Sequence, residues 1–320
     1  MIKKTLYFGN PAYLSLRNGQ LVIRLPEVEK AELPDIIKQE TIRTVPIEDI
    51  GVVVLDNKQI TITQGALAEL VANSAAVITC DSKCMPTGML LPLSGNTFTI
   101  TGYYCSRITL HQERFRNQIE AAIPLRKQLW QQTVKAKIEN QAYCLQKNTS
   151  KSFVPLHVLA RKVRSDDADN HEAQAAAYYW KNLFSDGFTR DKDGIPPNNL
   201  LNYGYAILRA VIARALVGSG LLPVYGIHHH NRYNAYCLAD DIMEPYRPFV
   251  DDLVISTMKK MEVSDDLTVA LKREMLSIPV LDVVISGKRS PLMIAAGLTT
   301  ASLAKCYNGE AREISYPSFL

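Results

Sequence analysis

The chain has 320 residues, 47% of them apolar, and a formal net charge of +4. This length favours two domains over one, and the apolar fraction excludes an intrinsically disordered chain. No window holds roughly eighteen uninterrupted apolar residues, and Gly9, Asn10 and Pro11 interrupt the run that follows the N-terminal lysines. The sequence therefore predicts neither a membrane span nor a signal peptide, and we expect a cytoplasmic protein.

The first hundred residues read as strands and turns. Asn18-Gly19 lies between two apolar runs, which is a strong hairpin signal. Residues 52–55 form a buried-strand pattern, residues 66–73 have helical spacing, and residues 75–79 are again an apolar strand. We predict a small, mainly β domain over residues 1–98. It contains no catalytic grouping, so scaffolding or dimerisation is its expected role.

Beyond residue 103 apolar residues recur at helical spacing. Two helices are predicted on either side of Pro124, and residues 198–220 are predicted to form a strongly apolar core helix that its glycines end. Lys288 and Arg289 are placed in a Gly/Ser/Pro loop between further helices. The predicted fold class is α+β, with the small β domain followed by a larger all-α domain over residues 99–320.

Positive charge is concentrated in the middle of the chain. Residues 107–164 contain twelve Lys or Arg and three Asp or Glu, whereas the segment before them is almost neutral and the one after them is acidic. This block indicates a polyanionic partner such as nucleic acid, although solvated helix faces would explain the charge alone equally well. The six cysteines are scattered without a C-x-x-C pair, which favours free thiols over a zinc site.

Residues 220–248 combine three histidines with several carboxylates. Adjacent histidines point in different directions, so one of His228–His230 is expected to join carboxylates from elsewhere. Two carboxylates and one imidazole suit Mg²⁺ or Mn²⁺, and such an ion acts on phosphodiesters. The structural alternatives are a polar histidine loop and, for Asp240, Asp241 and Glu244, compensation of a helix dipole.

Glu172 also has a structural explanation. Asp169 is a suitable N-cap residue, and Glu172 follows it by three positions, which is the spacing of a capping box. Local sequence alone therefore favours a capping role for Glu172 over a catalytic one.

Three long motifs point to a family. They are D-A-D-N-H-E-A-Q-A-A-A-Y-Y-W, L-N-Y-G-Y-A-I-L-R and L-W-Q-Q-T-V-K-A-K-I-E-N-Q-A. Together with the histidine segment they resemble the CRISPR-associated protein one family, the integrase subunit of spacer acquisition, in its type II form. The resemblance implies that Glu172, His229 and Glu244 are the metal ligands and catalytic residues. His228 and His230 are chemically able to replace His229, and Asp241 is expected to orient a ligand or to serve as an alternate one.

The resemblance also implies the reaction and the partners. The 3′-hydroxyl ends of a short double-stranded prespacer attack the borders of a CRISPR repeat by transesterification, so the DNA supplies the nucleophile. Members form homodimers through the β domain, and a dimer of the small adaptation protein two bridges two of them. A type II effector and an accessory adaptation protein are further implied partners.

Basic residues of the helical domain are expected to contact DNA phosphates. They are Arg107, Arg114, Lys135, Lys137, Arg161, Lys162, Arg164, Arg247, Lys288 and Arg289. For Arg247 the alternative is that it locks the acidic helix.

Two other functions remain open at this level. One is a non-catalytic nucleic-acid-binding scaffold whose histidines and carboxylates are structural. The other is a zinc hydrolase acting on a small molecule, against which the basic block argues.

Overall fold

The structure is a computed structural model that describes residues 3–26, 42–82, 85–92, 107–184, 187–191 and 193–320, without the side chains of residues 107–111. The chain divides into two compact units, Met1–Asn96 and Thr97–Leu320. The boundary predicted at residues 98 and 99 falls within residues 93–106, outside the described residues. Strands predominate in the described part of the first unit and helices in that of the second, which confirms the mixed α+β class.

The described part of the N-terminal unit contains two four-stranded sheets and one helix. The elements are β1 (Lys4–Phe8), β2 (Ala12–Arg17), β3 (Gln20–Arg24), β4 (Arg43–Pro46), β5 (Ile50–Leu55), β6 (Ile60–Ile62), α1 (Gln64–Ala72), β7 (Ala76–Cys80) and β8 (Pro86–Leu90). The first sheet has the order β1-β5-β7-β8, with β1, β5 and β7 parallel and β8 antiparallel to β7. The second has the order β4-β3-β2-β6, antiparallel except for the parallel pair β2 and β6.

Local sequence explains the positions of these strands. Strand β5 reads I-G-V-V-V-L and is buried along nearly its whole length, as expected for a central parallel strand. Between β2 and β3 the chain turns at Asn18 and Gly19, whose φ angles are 50° and 71°. Two successive left-handed residues make the tight hairpin turn that the Asn-Gly pair predicted. Leu14, Leu21 and Val53 fill the core of the unit.

Helices account for most of the described part of the C-terminal unit. They are α2 (Arg107–Ile119), α3 (Ile123–Asn148), α4 (Val154–Lys162), α5 (His171–Leu183), α6 (Asn198–Gly218), α7 (Cys237–Met243), α8 (Arg247–Met258), α9 (Val269–Met275) and α10 (Leu292–Tyr307). The predicted break at Pro124 is confirmed, since α2 ends before it and Pro124 lies in the first turn of α3. A proline is tolerated there because its missing N–H would have no helical partner.

Helix α6 is the central apolar helix of this unit. Among the described residues it is the one helix long and apolar enough to cross a membrane, yet 72% of its apolar window is buried inside the protein. An added Cβ at Gly204 would lie 2.6 Å from Cγ1 of Val250 on α8, so the glycine lets these two helices approach closely. These are the properties of the core helix predicted from the sequence.

The prediction of an all-α C-terminal domain is wrong in one place. Strands β9 (Asp282–Ile285) and β10 (Lys288–Pro291) form an antiparallel hairpin, which turns at Ser286 and Gly287 with φ angles of 49° and 74°. The β-branched run V-V-I favours a strand, and the two left-handed residues fold it back. Lys288 and Arg289 therefore lie on a strand and not in the predicted loop.

Candidate metal centre

Glu172 lies in the first turn of α5, and the segment before the helix fixes its backbone. The carboxylate of Asp167 accepts hydrogen bonds from the backbone N–H groups of His171 (3.0 Å) and Glu172 (2.8 Å). It thereby satisfies two of the N–H groups that lack partners at a helix start. Asn170 stands at the N-cap position with a left-handed φ of 53° and without a side-chain cap.

The predicted capping box of Asp169 and Glu172 is therefore wrong. Asp169 accepts two hydrogen bonds from the guanidinium of Arg164, at 2.9 and 2.8 Å, and the Glu172 side chain extends toward Lys137. Because the left-handed Asn170 turns the chain just before α5, Asp167 reaches the helix start in place of Asp169. The Glu172 carboxylate is thus not used for capping.

Glu244 opens a single 3₁₀ turn between α7 and α8. The side-chain amide of Asn140 on α3 donates to the carbonyl oxygens of Pro245 (2.8 Å) and Pro317 (2.9 Å). This buried contact holds the turn against α3. Only 5% of Glu244 is exposed, so its carboxylate needs partners inside the protein.

Lys137 on α3 joins the two glutamates. Its Nζ lies 2.6 Å from Oε1 of Glu172 and 2.5 Å from Oε2 of Glu244. The Nε of Arg247 lies 2.8 Å from Oε1 of Glu244, so each oxygen of Glu244 has a cation beside it. We call Lys137, Glu172, Glu244 and Arg247 the carboxylate–lysine cluster. The fold thus brings together two predicted metal ligands that are far apart in the sequence.

Burial and ion pairing oppose each other in this cluster. Burial acts to raise the pKa of Glu244, but the charges of Arg247 and Lys137 outweigh it and lower that pKa to about 2. Burial likewise acts to lower the pKa of Lys137, but Glu244 and Glu172 outweigh it and raise that pKa. Glu244 and Lys137 are therefore both ionised at neutral pH.

Asp241 organises the backbone of the histidine segment. Its fully buried carboxylate accepts hydrogen bonds from the backbone N–H groups of Ile227 (2.6 Å), His228 (3.0 Å) and His229 (3.2 Å). Gly226 allows this close wrapping, because an added Cβ would lie 2.3 Å from the carbonyl oxygen of His229 and 2.8 Å from Oδ2 of Asp241. The segment is therefore held by one carboxylate.

The same carboxylate orients the ring of His229. Nδ1 of His229 lies 2.6 Å from Oδ1 of Asp241. Because a carboxylate only accepts hydrogen bonds, Nδ1 carries the hydrogen. Nε2 is then the ring nitrogen that could bind a metal. This hydrogen bond outweighs partial burial and raises the pKa of His229. The charge of Glu244 adds to that rise, which puts the imidazole within electrostatic reach of the cluster.

The three adjacent histidines have different surroundings. The ring of His228 stacks on Trp130 of α3, with centroids 4.2 Å apart and planes 4° apart, whereas His229 meets Trp130 edge-on at 5.9 Å. His230 is exposed and lines, together with His229 and Arg232, an open cleft of about 310 Å³. All three histidines are exposed, but one of them is also stacked on a tryptophan and another is also held by a carboxylate.

The donor set suits a hard divalent cation. Two carboxylates and an imidazole favour Mg²⁺ or Mn²⁺, and the buried Oε2 of Glu244 has the Lys137 ammonium close by but makes no hydrogen bond of good geometry. Within the described part of the chain, no three His, Cys, Asp or Glu side chains converge on a single ion position as they stand. The ammonium of Lys137 lies between the two carboxylates.

Most basic residues predicted to contact DNA are exposed. They are Lys135, Arg161, Lys162, Arg164, Lys288 and Arg289. Two of these form ion pairs at the surface, Arg164 with Asp169 (2.8 Å) and Arg289 with Asp282 (2.6 Å). The side chains of these residues are open to solvent.

The remaining predicted DNA contacts have internal partners or lie outside the described side chains. Arg114 donates to the carbonyl oxygen of Ser219 (2.9 Å). Lys137 and Arg247 belong to the carboxylate–lysine cluster, where Arg247 locks the acidic turn as the alternative prediction had it. The side chain of Arg107 is not among those described.

Two residues of the site were not identified from the sequence in their present roles. Lys137 was assigned to the basic surface, although it follows the buried Val134 by three positions and precedes the buried Gln141 by four. That spacing places it on the inward face of α3 and was a usable signal. For the stacking of Trp130 on His228 no local sequence signal exists, because the two residues are distant in the chain.

Comparison with known proteins identifies the family of the chain. The family model described as CRISPR associated protein Cas1 matches residues 6–280. The chain is 35% identical to the CRISPR-associated endonuclease Cas1 of Neisseria meningitidis serogroup C (strain 8013) over 277 residues, which are 86% of this chain and 83% of that relative. The match to this relative accords with the type II form of the resemblance.

Solved structures share the fold. A casposase bound to integration product is similar with a TM-score of 0.71 at 19% identity, over 97% of this chain and 92% of the other. A Cas6-RT-Cas1--Cas2 complex is similar with a TM-score of 0.70 at 18% identity, over 98% of this chain and 36% of the other. At these identities the likeness concerns the fold alone. The family match and the Neisseria relative confirm the resemblance found in the motifs: this chain belongs to the Cas1 family of CRISPR-associated proteins.

Proposed function

We propose that this protein is a divalent-metal-dependent DNA integrase and endonuclease of CRISPR adaptation, the acquisition step of antiviral defence. The observation that carries the proposal is that Glu172 and Glu244 share one cation and that Glu244 acts electrostatically on the carboxylate-oriented His229. The Neisseria relative is named an endonuclease and the casposase is named with an integration product. Both names support phosphodiester chemistry on DNA.

Each residue of the centre has a proposed role. Glu172, His229 and Glu244 are the metal ligands and catalytic residues. Asp241 fixes the tautomer and direction of His229, and Arg247 fixes one oxygen of Glu244. When bound, a Mg²⁺ or Mn²⁺ ion would polarise the scissile phosphodiester and stabilise negative charge on its oxygens.

The proposed reaction is transesterification. The 3′-hydroxyl oxygen of a prespacer end forms a bond to a phosphorus atom at the repeat border and loses its proton. The bond from that phosphorus to the 3′-oxygen of the repeat strand breaks, and the leaving oxygen takes up a proton. One phosphodiester replaces another, so no energy source is required. Because the DNA supplies the nucleophile, the protein contributes positioning and charge rather than a reactive side chain.

The partners follow from the same proposal. The exposed basic residues of the helical unit would contact prespacer and repeat backbones. The N-terminal domain, residues 1–98, would form the homodimer, and a dimer of adaptation protein two would bridge two homodimers in the cytoplasm. A solved complex that contains both Cas1 and Cas2 supports the bridging partner; a type II effector and an accessory protein complete the proposed setting.

Strand transfer tests the assignment of the ligands. Prespacer and repeat DNA are incubated with Mn²⁺ or Mg²⁺ and the variants Glu172→Gln, His229→Ala or Glu244→Gln. We expect each variant to lose joining while it still binds duplex DNA, because the basic surface is unchanged. Glu120→Gln, on an exposed carboxylate, is the control and should join normally. Normal joining by all three centre variants would refute the assignment.

A non-catalytic DNA-binding scaffold is the second candidate. It is favoured by one observation, that Lys137 forms ion pairs with both glutamates, as in a structural network of charges. A scaffold would bind DNA with a steep salt dependence and would leave branched DNA intact in Mn²⁺. Cleavage of branched DNA in Mn²⁺, abolished by a chelator, decides for the enzyme.

A further inference from the structure

Lys137 occupies a position that excludes most water. Its side chain is only 12% exposed, whereas Lys135, on the same helix, is exposed. A buried ammonium is strongly unfavourable unless anionic groups face it. Glu172 and Glu244 meet that requirement from two other elements of the fold. The lysine and the two proposed metal ligands are thus mutually dependent in the metal-free protein.

The carboxylate–lysine cluster is electrically balanced without a metal. Lys137 and Arg247 contribute two positive charges, and Glu172 and Glu244 contribute two negative ones. A divalent ion added to this cluster would lie beside these two cations in a buried place, where like charges repel strongly. Repulsion by the ion would therefore favour the withdrawal of one of them.

Lys137 is the cation that can leave. The guanidinium of Arg247 lies 4.7 Å above the ring of Tyr205, and its planar group is held there while Nε contacts Glu244. Lys137 has a flexible four-carbon stem and a compact charge. Its ammonium contacts one oxygen of Glu172 and one of Glu244, and a metal shared by these carboxylates would compete for those oxygens.

We propose that Lys137 is a built-in counter-ion, which holds Glu172 and Glu244 together in the metal-free protein and leaves their shared position when the divalent ion binds. It is a positioning residue, since it acts through the two carboxylates. The inference rests on the proposed metal-dependent function. Its consequence is that the ligands are kept close before metal arrives, and that metal binding is weakened by competition with the ammonium.

The first experiment compares wild type with Lys137→Met, which keeps the length of the side chain and removes its charge. Mn²⁺ affinity is measured from the electron paramagnetic resonance signal of free Mn²⁺, and thermal unfolding is followed without metal. We expect about tenfold tighter Mn²⁺ binding and a metal-free unfolding temperature that is lower by roughly 3 °C or more. If Lys137 were purely structural, Lys137→Met would instead lower both the Mn²⁺ affinity and the unfolding temperature. Lys135→Met is the control and should change neither.

The second experiment uses wild-type protein and therefore does not depend on the folding of a variant. Lysines are acylated with and without Mn²⁺, and the products are quantified by mass spectrometry. We expect Lys137 to react slowly in metal-free protein and about tenfold faster once Mn²⁺ displaces it from the carboxylates. Lys135 should react equally in both conditions.

The two ideas fail in distinguishable ways. The metal site is supported if wild type binds Mn²⁺ and Glu172→Gln does not. In that case the counter-ion proposal alone is overturned by either of two results. One is unchanged or weaker Mn²⁺ binding by folded Lys137→Met, and the other is equal acylation of Lys137 with and without Mn²⁺. If neither wild type nor Lys137→Met binds Mn²⁺, the metal-dependent function is overturned and the counter-ion with it.

Discussion

Asp241 and Glu244 are two buried carboxylates, one helical turn apart, that the protein neutralises in different ways. Asp241 accepts hydrogen bonds from three backbone N–H groups and from the ring of His229. Glu244 faces the side-chain cations of Lys137 and Arg247. The first carboxylate, on α7, is bound to the backbone of residues 227–229, and the second to side chains from α3 and α8.

This difference separates a positioning carboxylate from one suited to bind an ion. Backbone N–H groups cannot be exchanged for a metal without unfolding the loop that presents His229, so Asp241 is committed to its present partners. A lysine ammonium can be exchanged for another cation, so Glu244 keeps its coordinating ability. The sequence predicts that Asp241 either orients a metal ligand or is an alternate ligand itself. Its contacts favour the orienting role.

Replacement of Asp241 tests this comparison most severely. Asp241→Ala removes the acceptor of three backbone hydrogen bonds in a fully buried site, and we expect the free energy of unfolding to fall by about 3–5 kcal/mol. Urea denaturation measures the loss. Asp241→Asn retains the shape and one acceptor oxygen, so it should unfold less readily than Asp241→Ala yet fail in strand transfer, because His229 loses its orientation.

Glu244→Ala provides the matched comparison. Lys137 can still pair with Glu172 in this variant, and Arg247 still lies over Tyr205, so the loss of stability should be clearly smaller than for Asp241→Ala. Equal losses in the two variants would remove the distinction between an anchored and an exchangeable carboxylate.

Asp251 on α8 is a third buried carboxylate and extends the comparison to neutral partners. It accepts hydrogen bonds from the hydroxyl groups of Tyr179 (2.8 Å) and Tyr205 (2.5 Å). Burial raises its pKa to about 7, against the opposing effects of these hydrogen bonds and of Arg247 and Arg190. Hydroxyl donors thus compensate burial less completely than the cations beside Glu244 do.

The sign of the resulting pH dependence follows from this raised pKa. The folded state binds a proton at Asp251 more strongly than the unfolded state, whose pKa is about 3.9. The stability gained from that proton is fully present below pH 3.9 and is lost as the pH rises through about 7. As the pH rises from about 3.9 to about 7, the free energy of unfolding of Asp251→Asn should therefore increase relative to that of wild type by up to about 4 kcal/mol. Urea denaturation at a series of pH values measures this difference.

Ser256→Ala is the control for this pH series. Ser256 lies on the same helix α8 and has no titratable side chain, so its replacement should give a stability difference that changes little over the same interval. A difference between wild type and Asp251→Asn that is equally flat would mean that Asp251 is ionised with an ordinary pKa.

Local patterns explain which parts of the molecule were predictable. The turn at Asn18 and Gly19, the buried run of β5, the break at Pro124 and the apolar helix α6 each depend on a few neighbouring residues. The family motifs likewise carried the assignment of the fold as a whole. In each case the signal and the structure lie in the same short segment.

The features that could not be predicted depend on contacts between segments. Asp167, rather than Asp169, caps α5 because Asn170 adopts a left-handed conformation, which nothing in a capping-box pattern specifies. Lys137 reads as one more basic residue until the fold places Glu172 and Glu244 against it. Side-chain pairing across distant elements is decided by tertiary packing, and a charge count cannot reveal it.

Gly226 offers a milder way to disturb the anchor of Asp241. In Gly226→Ala the new Cβ would meet the carbonyl oxygen of His229 at 2.3 Å and Oδ2 of Asp241 at 2.8 Å, so the loop has to shift. We expect a loss of about 1–3 kcal/mol in the free energy of unfolding and reduced strand transfer. Gly218→Ala, whose Cβ would meet nothing within 4 Å, should be neutral or up to about 1 kcal/mol stabilising. Equal stability of the two variants would contradict the tight wrapping around Asp241.

The smallest expected effect concerns the choice among the adjacent histidines. His228 stacks flat on Trp130, and its side chain is not the one bound by Asp241, so His228→Ala should cost about 0.5–1.5 kcal/mol of stability and leave strand transfer within a few-fold of wild type. His229→Ala should abolish strand transfer with a comparable change in stability. Parallel urea denaturation and joining assays separate the two properties. If His228→Ala abolished strand transfer and His229→Ala did not, His228 would be the metal ligand. The hydrogen bond between Asp241 and His229 would then hold the loop rather than orient a ligand.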